Sequence, residues 1–591
     1  MSDFSYPFDA ETILKKKKSY KRKLLERNIP LLGKNIAILG GSTTTEITQV
    51  LELFLLNHGI EPVFYESGFA QYWQDAMYSE ELRSFTPNII FIHTTVRNIN
   101  VWPSLRDNRE NIDSMLNEQI SHFTVMWDKL ARDYSCPIIQ NNFERPLFRL
   151  FGNKDISDFH GRSNYVSRLN QAFYEYSQEN SDFYINDIEF LSSFYGLDKW
   201  NDTSHWYLYK YALSVSAIPQ LAFSVANIIK SIYGMNKKAI VLDLDDTLWG
   251  GVIGDDGIDG ISIGPETPNG QVYSDFQEYI KMYKDLGILL NICSKNDHAN
   301  AISGLNHPDS LLSPDDFTVI KANWNRKDEN IQCIAEELNI GADSLLFIDD
   351  NPAERAFVAE QIKGIAVPDF DDINSYIPVI DHSGFFEVTN ISEDDLNRHD
   401  MYRLNAKRND FQKTFQNYSD YLKSLEMVAT IRDFEPIYYQ RIAQLINRSN
   451  QFNLTTKRYT ENEIATIARD DNYISLYGKL TDRFGDNGLV SVIIGRTANV
   501  NLHIELWLMS CRVIKRDMEL AMLDILVEST VSAGIEKIIG YYHPTKKNTM
   551  VRDFYNELGF DLLSNNDGHT VWEYKVSGHK KRNFAISVSE S

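Results

Sequence analysis

Acidic, hydroxyl and lysine side chains follow the apolar, strand-like runs in the middle of this 591-residue sequence. Asp243 and Asp245 lie two residues apart at the end of AIVLDL, so an extended chain projects both carboxylates to one side. The remaining groups are Ser294 after ILLNIC, Lys327 in NWNRKDEN, and Asp349 with Asp350 after SLLFI. Ligands of open parallel sheets lie beyond the carboxyl ends of the strands, so we expect these groups to meet there.

This set of side chains suits phosphoryl chemistry. Gathered carboxylates repel one another unless a hard cation such as Mg²⁺ neutralises them. A carboxylate can attack phosphorus, and a second acid can protonate the leaving oxygen and later activate water. A hydroxyl group and a lysine can hold the phosphoryl oxygens as charge develops. The alternatives are a structural acid cluster at helix starts and a Ca²⁺ loop.

The pattern resembles the haloacid dehalogenase (HAD) superfamily, whose first motif D-x-D-x-T is here Asp243-Leu-Asp-Asp-Thr247. The resemblance implies that Asp243 is the nucleophile and Asp245 the acid and base. It also implies that Ser294 and Lys327 hold phosphate. Three carboxylates would form the Mg²⁺ site: Asp243, Asp245 and Asp349.

Longer stretches resemble the FkbH-like branch of that superfamily, among them LDLDDTLWGGVIGDDG, CSKND, FIDDNPAER, RSNQFNLTTKRYTENEI and LMSCRVIKRDME. The resemblance covers about residues 35–574. It implies an enzyme that dephosphorylates an acyl phosphate of the 1,3-bisphosphoglycerate type and loads the glyceryl or a similar acyl unit onto a separate acyl carrier protein. Such proteins serve polyketide or surface-polysaccharide biosynthesis, and their acyl group passes through an enzyme thioester.

The sequence does not decide which thiol would form that thioester. Cys293 adjoins Ser294, but one position along a strand can direct its side chain to the opposite face. Cys511 lies beside Arg512, which could lower the pKa of its thiol. The third possibility is that no cysteine carries the acyl group. Cys136 and Cys333 are expected to pack in the core.

A second candidate site lies in the first segment. Ser42 follows a strand in GGSTTTE, and WNDTSHW supplies Asp202 and His205 three residues apart. The pattern resembles the SGNH hydrolases, in which a serine attacks and a D-x-x-H pair supplies the base and its orienting acid. Gly68 and Asn98 fall where that family has its oxyanion residues. The family motifs are incomplete here, which leaves either a non-hydrolytic fold or acyl chemistry at Ser42.

The third segment resembles the N-acetyltransferase (GNAT) fold, with three successive strands, a long helix, a strand and a helix. Lys515 stands where that family usually has glycine before the long helix. Coenzyme A binding is therefore not expected, although Arg512 and Arg516 could contact the phosphate of a phosphopantetheine. The alternative is that these arginines pair with the nearby acids Asp517 and Glu519.

These assignments predict an α/β multidomain protein. We expect an SGNH-like doubly wound domain at 1–235 and a HAD-like doubly wound domain at 236–383. Linker helices and an α+β GNAT-like domain are expected at 384–576, and a flexible tail at 577–591. The alternation of strand-like and helix-like runs in the first two segments predicts parallel sheets with covering helices.

Bulk composition excludes several classes of function. The net charge of −23 argues against a general nucleic-acid or anionic-membrane surface. The basic run at residues 15–23 is typical of a solvated helix face, and the alternative is an electrostatic docking site for an acidic partner. Four scattered cysteines and the absence of a secretory signal or an 18-residue apolar run predict a cytoplasmic protein. Alternative functions are a simple phosphomonoesterase on a sugar or nucleotide phosphate, a non-enzymatic scaffold, and an esterase or O-acyltransferase using Ser42.

Overall fold

A computed structural model of the protein describes residues 3–27, 29, 31–449, 451–545 and 547–589. The chain divides into two compact units. Among the described residues, the N-terminal unit spans 3–232 and 460–463, and the C-terminal unit spans 233–459 and 464–589.

Apolar runs in the N-terminal unit form a five-stranded parallel sheet in the order β2-β1-β3-β4-β5. Its strands are β1 (Leu32–Gly40), β2 (Ile60–Glu66), β3 (Ile89–His93), β4 (Ile138–Asn141) and β5 (Phe183–Asn186). The helices are α1 (Ala10–Leu25), α2 (Thr45–Asn57), α3 (Tyr72–Tyr78), α4 (Glu80–Phe85), α5 (Arg109–Tyr134), α6 (Arg162–Glu179), α7 (Ile188–Tyr195), α8 (Leu197–Trp200), α9 (Thr203–Tyr209) and α10 (Ile218–Ile232). Loops at the carboxyl ends of these strands carry Ser42 and Asn98.

The window Val215–Ile232, which includes α10, is the one described helical stretch that is long and apolar enough to cross a membrane. Sixty-seven per cent of this window is buried inside the fold, with a mean hydropathy of 1.3. A core helix of a soluble protein has the same properties, because both are apolar on most sides.

The C-terminal unit begins with a second parallel sheet, ordered β8-β7-β6-β9. Its strands are β6 (Ala239–Leu242), β7 (Leu289–Ser294), β8 (Val319–Ala322) and β9 (Leu345–Ile348). The helices are α11 (Ile253–Asp256), α12 (Pro268–Asp285), α13 (His298–Leu305), α14 (Lys327–Glu337), α15 (Pro352–Gln361) and α16 (Tyr376–His382). Apolar clusters with α12 and α16 on one face and α14 and α15 on the other cover both sides of the sheet.

An eight-stranded sheet follows, ordered β15-β16-β14-β13-β12-β11-β10-β17. Its strands are β10 (Met427–Asp433), β11 (Tyr473–Asp482), β12 (Gly485–Ala498), β13 (Asn501–Met509), β14 (Lys537–Tyr542), β15 (Asp561–Asn566), β16 (His569–Lys575) and β17 (Ile586–Val588). The helices are α17 (Glu393–Leu396), α18 (Arg398–Gln412), α19 (Tyr418–Ser424), α20 (Tyr439–Arg448), α21 (Glu461–Ile467), α22 (Met518–Ser532) and α23 (Phe554–Glu557).

The predicted α/β architecture is confirmed by these three sheets. The three antiparallel strands β11, β12 and β13 precede the long helix α22, and β13 then pairs in parallel with β14. The domain boundaries at 235, 383 and 576 stay predictions.

The expectation of a flexible tail is wrong for its described end. Residues 586–588 form β17, which pairs in parallel with β10 at the edge of the large sheet. Ile586 is 5% exposed, so burial of an apolar side chain together with backbone pairing holds a polar segment in place.

Candidate active site

Three carboxylates meet beyond the carboxyl ends of β6 and β9. Asp243 follows β6, whereas Asp349 and Asp350 follow β9, which pairs with β6. One oxygen from each of the three carboxylates lies within 4.8 Å of the others. Lys327, the first residue of α14, bridges two of them, with its Nζ 2.5 Å from both Asp243 Oδ2 and Asp349 Oδ2. The structure thus brings together four of the side chains singled out in the sequence.

The electrostatics of this cluster follow from burial and like charge. Burial raises the pKa of Asp349 to about 6, and repulsion from Asp243 acts in the same direction against the pull of Lys327. Burial and Asp243 also raise the pKa of Asp350. Burial alone would lower the pKa of Lys327, but the carboxylates of Asp243 and Asp349 more than reverse this and raise it. One ammonium group therefore faces three carboxylates, a donor set that suits a divalent oxygen-seeking cation.

Asp245 does not join the carboxylate group, which corrects the predicted metal set of Asp243, Asp245 and Asp349. Its Oδ1 accepts hydrogen bonds from Trp249 Nε1 at 2.9 Å and the Ile253 backbone N–H at 3.1 Å. Its Oδ2 accepts one from Asn296 Nδ2 at 3.0 Å. These three donors hold the Asp245 carboxylate away from the carboxylate group, and Asp350 is the third member of that group.

Asp245 nevertheless has the environment of an acid and base. Burial raises the pKa of its carboxyl group, and Asp243 adds to this against the hydrogen bonds from Ile253 and Trp249. A raised pKa keeps the proton on the carboxyl group to a higher pH, as a general acid requires. The sequence reasoning missed Asn296 as its partner, although Asn296 lies only two residues after Ser294 in CSKND.

Two other residues position the end of β9. Thr247 Oγ1 accepts a hydrogen bond from the Asp350 backbone N–H at 3.2 Å. Arg355 Nη1 donates to the backbone carbonyls of Asp349 at 2.9 Å and Asp350 at 2.7 Å. Thr247 was recognised only as part of the first motif, and Arg355 only as part of FIDDNPAER.

Ser294 and Cys293 face different surroundings although they are neighbours. Ser294 ends β7 at the carboxyl edge of the sheet and is 2% exposed. Cys293 is fully buried in the apolar cluster under α14, and its Sγ lies 3.6 Å from the Lys327 backbone carbonyl. Burial raises the pKa of the Cys293 thiol well above its usual range. Cys293 as the acyl carrier is therefore not supported, because its side chain points into the core.

The other cysteines also depart in part from expectation. Cys136 is 5% exposed, as a core residue should be. Cys333 is exposed on α14, so the expectation that it packs in the core was wrong. Cys511 is partly exposed and follows β13. Cys333 and Cys511 are the two thiols that a reagent in solution can reach.

The structure assembles only part of the predicted Ser42 site. Asp202 caps α9, and its Oδ2 lies 2.7 Å from His205 Nδ1. Ser42 is 2% exposed, and its Oγ has no hydrogen-bond partner among the described residues. The Asn98 amide donates to the Gly41 carbonyl at 2.9 Å, so this amide is engaged between two loops. Catalysis by Ser42 stays a prediction, as does the oxyanion role of Gly68 and Asn98.

The loop before α22 carries Lys515 and Arg516, which were both singled out in the sequence. Lys515 adopts φ +67°, a left-handed conformation in which glycine would be unstrained. Arg516 is 6% exposed and contacts Asp482 Oδ2 at 3.2 Å and Asn405 Oδ1 at 2.7 Å. Arg516 therefore forms a structural ion pair with Asp482 inside the fold, which contradicts its predicted role as a phosphopantetheine contact. Its partner Asp482 is also neither Asp517 nor Glu519, the two acids expected from the sequence.

The chain is similar to known proteins in sequence and in structure. Residues 35–230 match the model of the FkbH N-terminal domain. The crystal structure of the N-terminal part of BF1531 from Bacteroides fragilis, described as containing a phosphatase domain complexed with Mg, is 27% identical with a TM-score of 0.58. The match covers 64% of this chain and 99% of that chain.

The ribosomal-protein-S18-alanine N-acetyltransferase from Escherichia coli matches 27% of this chain and 99% of its own, with 13% identity and a TM-score of 0.20. The fold of the third segment is defined by its own eight-stranded sheet. No curated protein matches the chain.

Proposed function

We propose a two-part function on the premise that this chain is an FkbH-like protein with a HAD-type phosphatase domain. The protein dephosphorylates a small acyl phosphate that carries a second phosphate group, and it loads the acyl unit onto an acyl carrier protein. A glyceryl unit is the acyl group that the family resemblance favours. The observation that carries the phosphoryl part is the meeting of Asp243, Asp349 and Asp350 around Lys327 at one sheet edge.

The phosphoryl step follows from the positions of two carboxylates. An Asp243 oxygen attacks phosphorus, so that an O–P bond forms to the enzyme and the P–O bond to the leaving group breaks. Asp245, held by Asn296 and Trp249, gives its proton to the leaving oxygen. Asp245 then takes a proton from water, which attacks the aspartyl phosphate and releases inorganic phosphate. Ser294 and Lys327 hold the phosphoryl oxygens during both transfers.

Asp243, Asp349 and Asp350 are the residues that would hold Mg²⁺. When bound, such a cation supplies positive charge to the phosphoryl oxygens. The fit rests on the charges of the site, since three carboxylates converge with a single lysine between two of them. The Bacteroides protein, whose phosphatase domain was crystallised with Mg, supports the choice of cation.

Acyl transfer needs a reachable thiol, and Cys511 fits this need better than Cys293. The Cys511 thiolate would attack the acyl carbonyl carbon, forming an S–C bond while the bond from that carbon to the phosphate oxygen breaks. Phosphate leaves with the electron pair, and the thiol of the carrier protein then displaces Cys511 from the acyl group. An acyl phosphate is an activated donor, so no further co-substrate is required.

The test is intact-protein mass spectrometry of the full chain with Mg²⁺ and acetyl phosphate as the acyl phosphate probe. We expect one added acetyl group that hydroxylamine removes, that Cys511→Ala abolishes, and that a holo acyl carrier protein accepts. Cys293→Ala is the matched control and should still be acetylated. Phosphate release without any acylated protein would replace this proposal by the simple phosphomonoesterase.

The phosphatase part has its own variant. Asp243→Asn should abolish Mg²⁺-dependent release of phosphate from small monoesters while the protein stays folded. Undiminished turnover in this variant would remove the central site from the chemistry. Activity on carboxylic esters that survives Asp243→Asn but is lost in Ser42→Ala would favour an esterase using Ser42.

A further inference from the structure

Five cationic side chains gather in the C-terminal unit, away from the Asp243 site. We call them the basic cluster: Lys238, Arg398, Arg441, Arg448 and Arg512. Lys238 precedes β6, and the arginines come from α18, α20 and the loop after β13. The four arginine side chains retain between 8% and 31% exposure, so they lie below the surface but within reach of solvent.

Two carboxylates form ion pairs with this cluster. Asp395 pairs with Arg398 and Arg448. Asp394 Oδ2 lies 2.7 Å from Arg441 Nη2 and 3.5 Å from Arg512 Nη2. Lys238 instead donates from Nζ to the Arg448 backbone carbonyl at 2.8 Å. Among the described residues, four arginines thus share two carboxylates at ion-pair distance, and Lys238 adds a fifth positive charge that pairs with neither.

This excess of positive charge is costly without a ligand. Burial lowers the pKa of Lys238 to about 8, and repulsion from Arg398 and Arg448 contributes. Burial lowers the pKa of Arg441 to about 10, where repulsion from Arg512 and Arg448 opposes the help of Asp394. Partly buried charges are stable when they are paired. The cluster therefore has the charge balance of a site that is completed by a multiply charged anion.

A thiol lies at the same place. Cys511 Sγ is 3.7 Å from the Tyr402 hydroxyl group, and the Cys511 backbone carbonyl accepts a hydrogen bond from Asn339 Nδ2 at 3.0 Å. Cys511 and Lys238 are close enough to interact electrostatically, and Tyr402 interacts with Arg398 and Arg512. A partly exposed nucleophile thus lies next to the cations of the basic cluster.

We infer that the basic cluster is a second phosphoryl-binding site, separate from Asp243, which holds the phosphate of an acyl phosphate with its carbonyl carbon at Cys511. Arginine forks bind phosphate oxygens through paired N–H donors, and the nearby cations stabilise the phosphate that leaves as the S–C bond forms. The role of Cys511 rests on the proposed function, whereas the anion site rests on the charges alone. The proton of the Cys511 thiol goes to solvent before attack.

The first experiment measures binding of inorganic phosphate to the full chain by calorimetry in Mg²⁺-free buffer, where the three carboxylates of the other site repel it. Arg441→Gln leaves Asp394 paired with Arg512, and Arg448→Gln leaves Asp395 paired with Arg398. We expect each variant to bind phosphate about tenfold or more weakly, the effect of one lost charge-assisted hydrogen bond. Arg403→Gln, which breaks an exposed pair with Asp315, is the matched control.

The second experiment separates a binding role from a structural one. In phosphate-free buffer, Arg441→Gln and Arg448→Gln should have midpoints of urea unfolding equal to or above that of the wild type, because each removes a repelling charge. Added phosphate should stabilise the wild type more than either variant. Lower stability in both variants, together with unchanged phosphate affinity, would overturn the inference and leave a structural ion-pair network.

The third experiment needs no variant. Phosphate should slow alkylation of Cys511 by iodoacetamide, read by peptide mass spectrometry, while exposed Cys333 serves as the internal control. Equal alkylation of Cys511 with and without phosphate would count against the site. Protection of Cys511 without any acylation by acetyl phosphate would keep the anion site and reject the proposed acyl transfer.

Discussion

At the scale of single residues, two aspartates two positions apart acquire different properties. Asp243 shares Lys327 with Asp349, so its carboxylate stands opposite an ammonium group. Asp245 is held by a tryptophan, a backbone N–H and Asn296, and burial raises its pKa. A nucleophile must be ionised and a general acid must carry a proton, so the two environments suit the two roles.

Asp245→Asn should lower kcat for phosphate release by about 10² to 10⁴, because the amide can neither protonate the leaving oxygen nor activate water. Leaving groups that need no proton should react with Asp243 almost normally, so the aspartyl phosphate should accumulate. Rapid-quench measurement of covalently bound phosphate checks this. Normal steady-state turnover would assign proton transfer to another group.

Glu144 is a buried acid with an unusual linkage to pH. It is fully buried, its Oε2 accepts the Val96 N–H at 3.2 Å, and its Oε1 has no partner among the described residues. Burial raises its pKa to about 7, against hydrogen bonds from backbone N–H groups and the charge of Arg97. Because the pKa of Glu144 is higher in the folded protein than in the unfolded chain, its contribution to the free energy of unfolding is fully present below about pH 4.5. This contribution is lost as the pH rises through about 7.

Glu144→Gln should therefore be more stable than the wild type at pH 8, by as much as about 3 kcal/mol, and closer to it at pH 5. Urea unfolding of the full chain at both pH values measures the difference. Exposed Glu118→Gln is the control and should change neither value. A gain that is the same at both pH values would not come from this ionisation.

At the scale of elements, strand alternation decides which side chains reach the active site. Along β7, Cys293 enters the apolar cluster beneath α14, whereas Ser294 ends the strand at the catalytic edge. A different constraint, the backbone conformation, acts in the loop before α22, where Lys515 adopts φ +67°. Backbone conformation at such a position favours glycine whatever the side chain contacts.

Lys515→Gly should raise the free energy of unfolding by up to about 1 kcal/mol, because a side chain in the left-handed region costs about that much. Chemical denaturation of the full chain measures the change. Lys537→Gly is the control, because Lys537 lies in β14 and glycine weakens a regular strand. A loss of stability in both variants would show that φ at Lys515 carries no strain.

At the scale of the whole molecule, the net charge of −23 conceals two sites of opposite local sign. The Asp243 site gathers carboxylates around one lysine, whereas the basic cluster gathers cations around Asp394 and Asp395. Both lie in the C-terminal unit. An anion therefore meets complementary charge at the basic cluster, whereas the Asp243 site suits a divalent cation.

Mg²⁺ should stabilise the C-terminal unit by about 3 kcal/mol at 100 times its dissociation constant. In scanning calorimetry we expect the metal to move the transition of that unit and leave that of the N-terminal unit unchanged. Asp349→Asn should abolish the shift, and should itself stabilise the metal-free protein by removing one of three like charges. A shift that persists in Asp349→Asn would place the metal elsewhere.

Much of the fold and part of the site could be predicted from the sequence. Apolar runs of strand length ending in Asp243, Ser294 and Asp349 predicted both the parallel sheet and the edge where these residues lie. Asp350 was noted only as a neighbour of Asp349, because spacing alone does not say which carboxylates converge. Asn296 was missed because a hydrogen bond to a side chain 51 residues away leaves no periodic pattern.

By itself the sequence determined the order of strands and helices and the chemical types at the strand ends, because these depend on local periodicity. Only the tertiary structure decided that Cys293 is buried, that Arg516 pairs with Asp482, and that Asp245 lies outside the carboxylate group. The basic cluster is the clearest case, because it joins residues between 238 and 512. Charges and hydrogen bonds depend on distances in space, which chain spacing specifies only within one helix or strand.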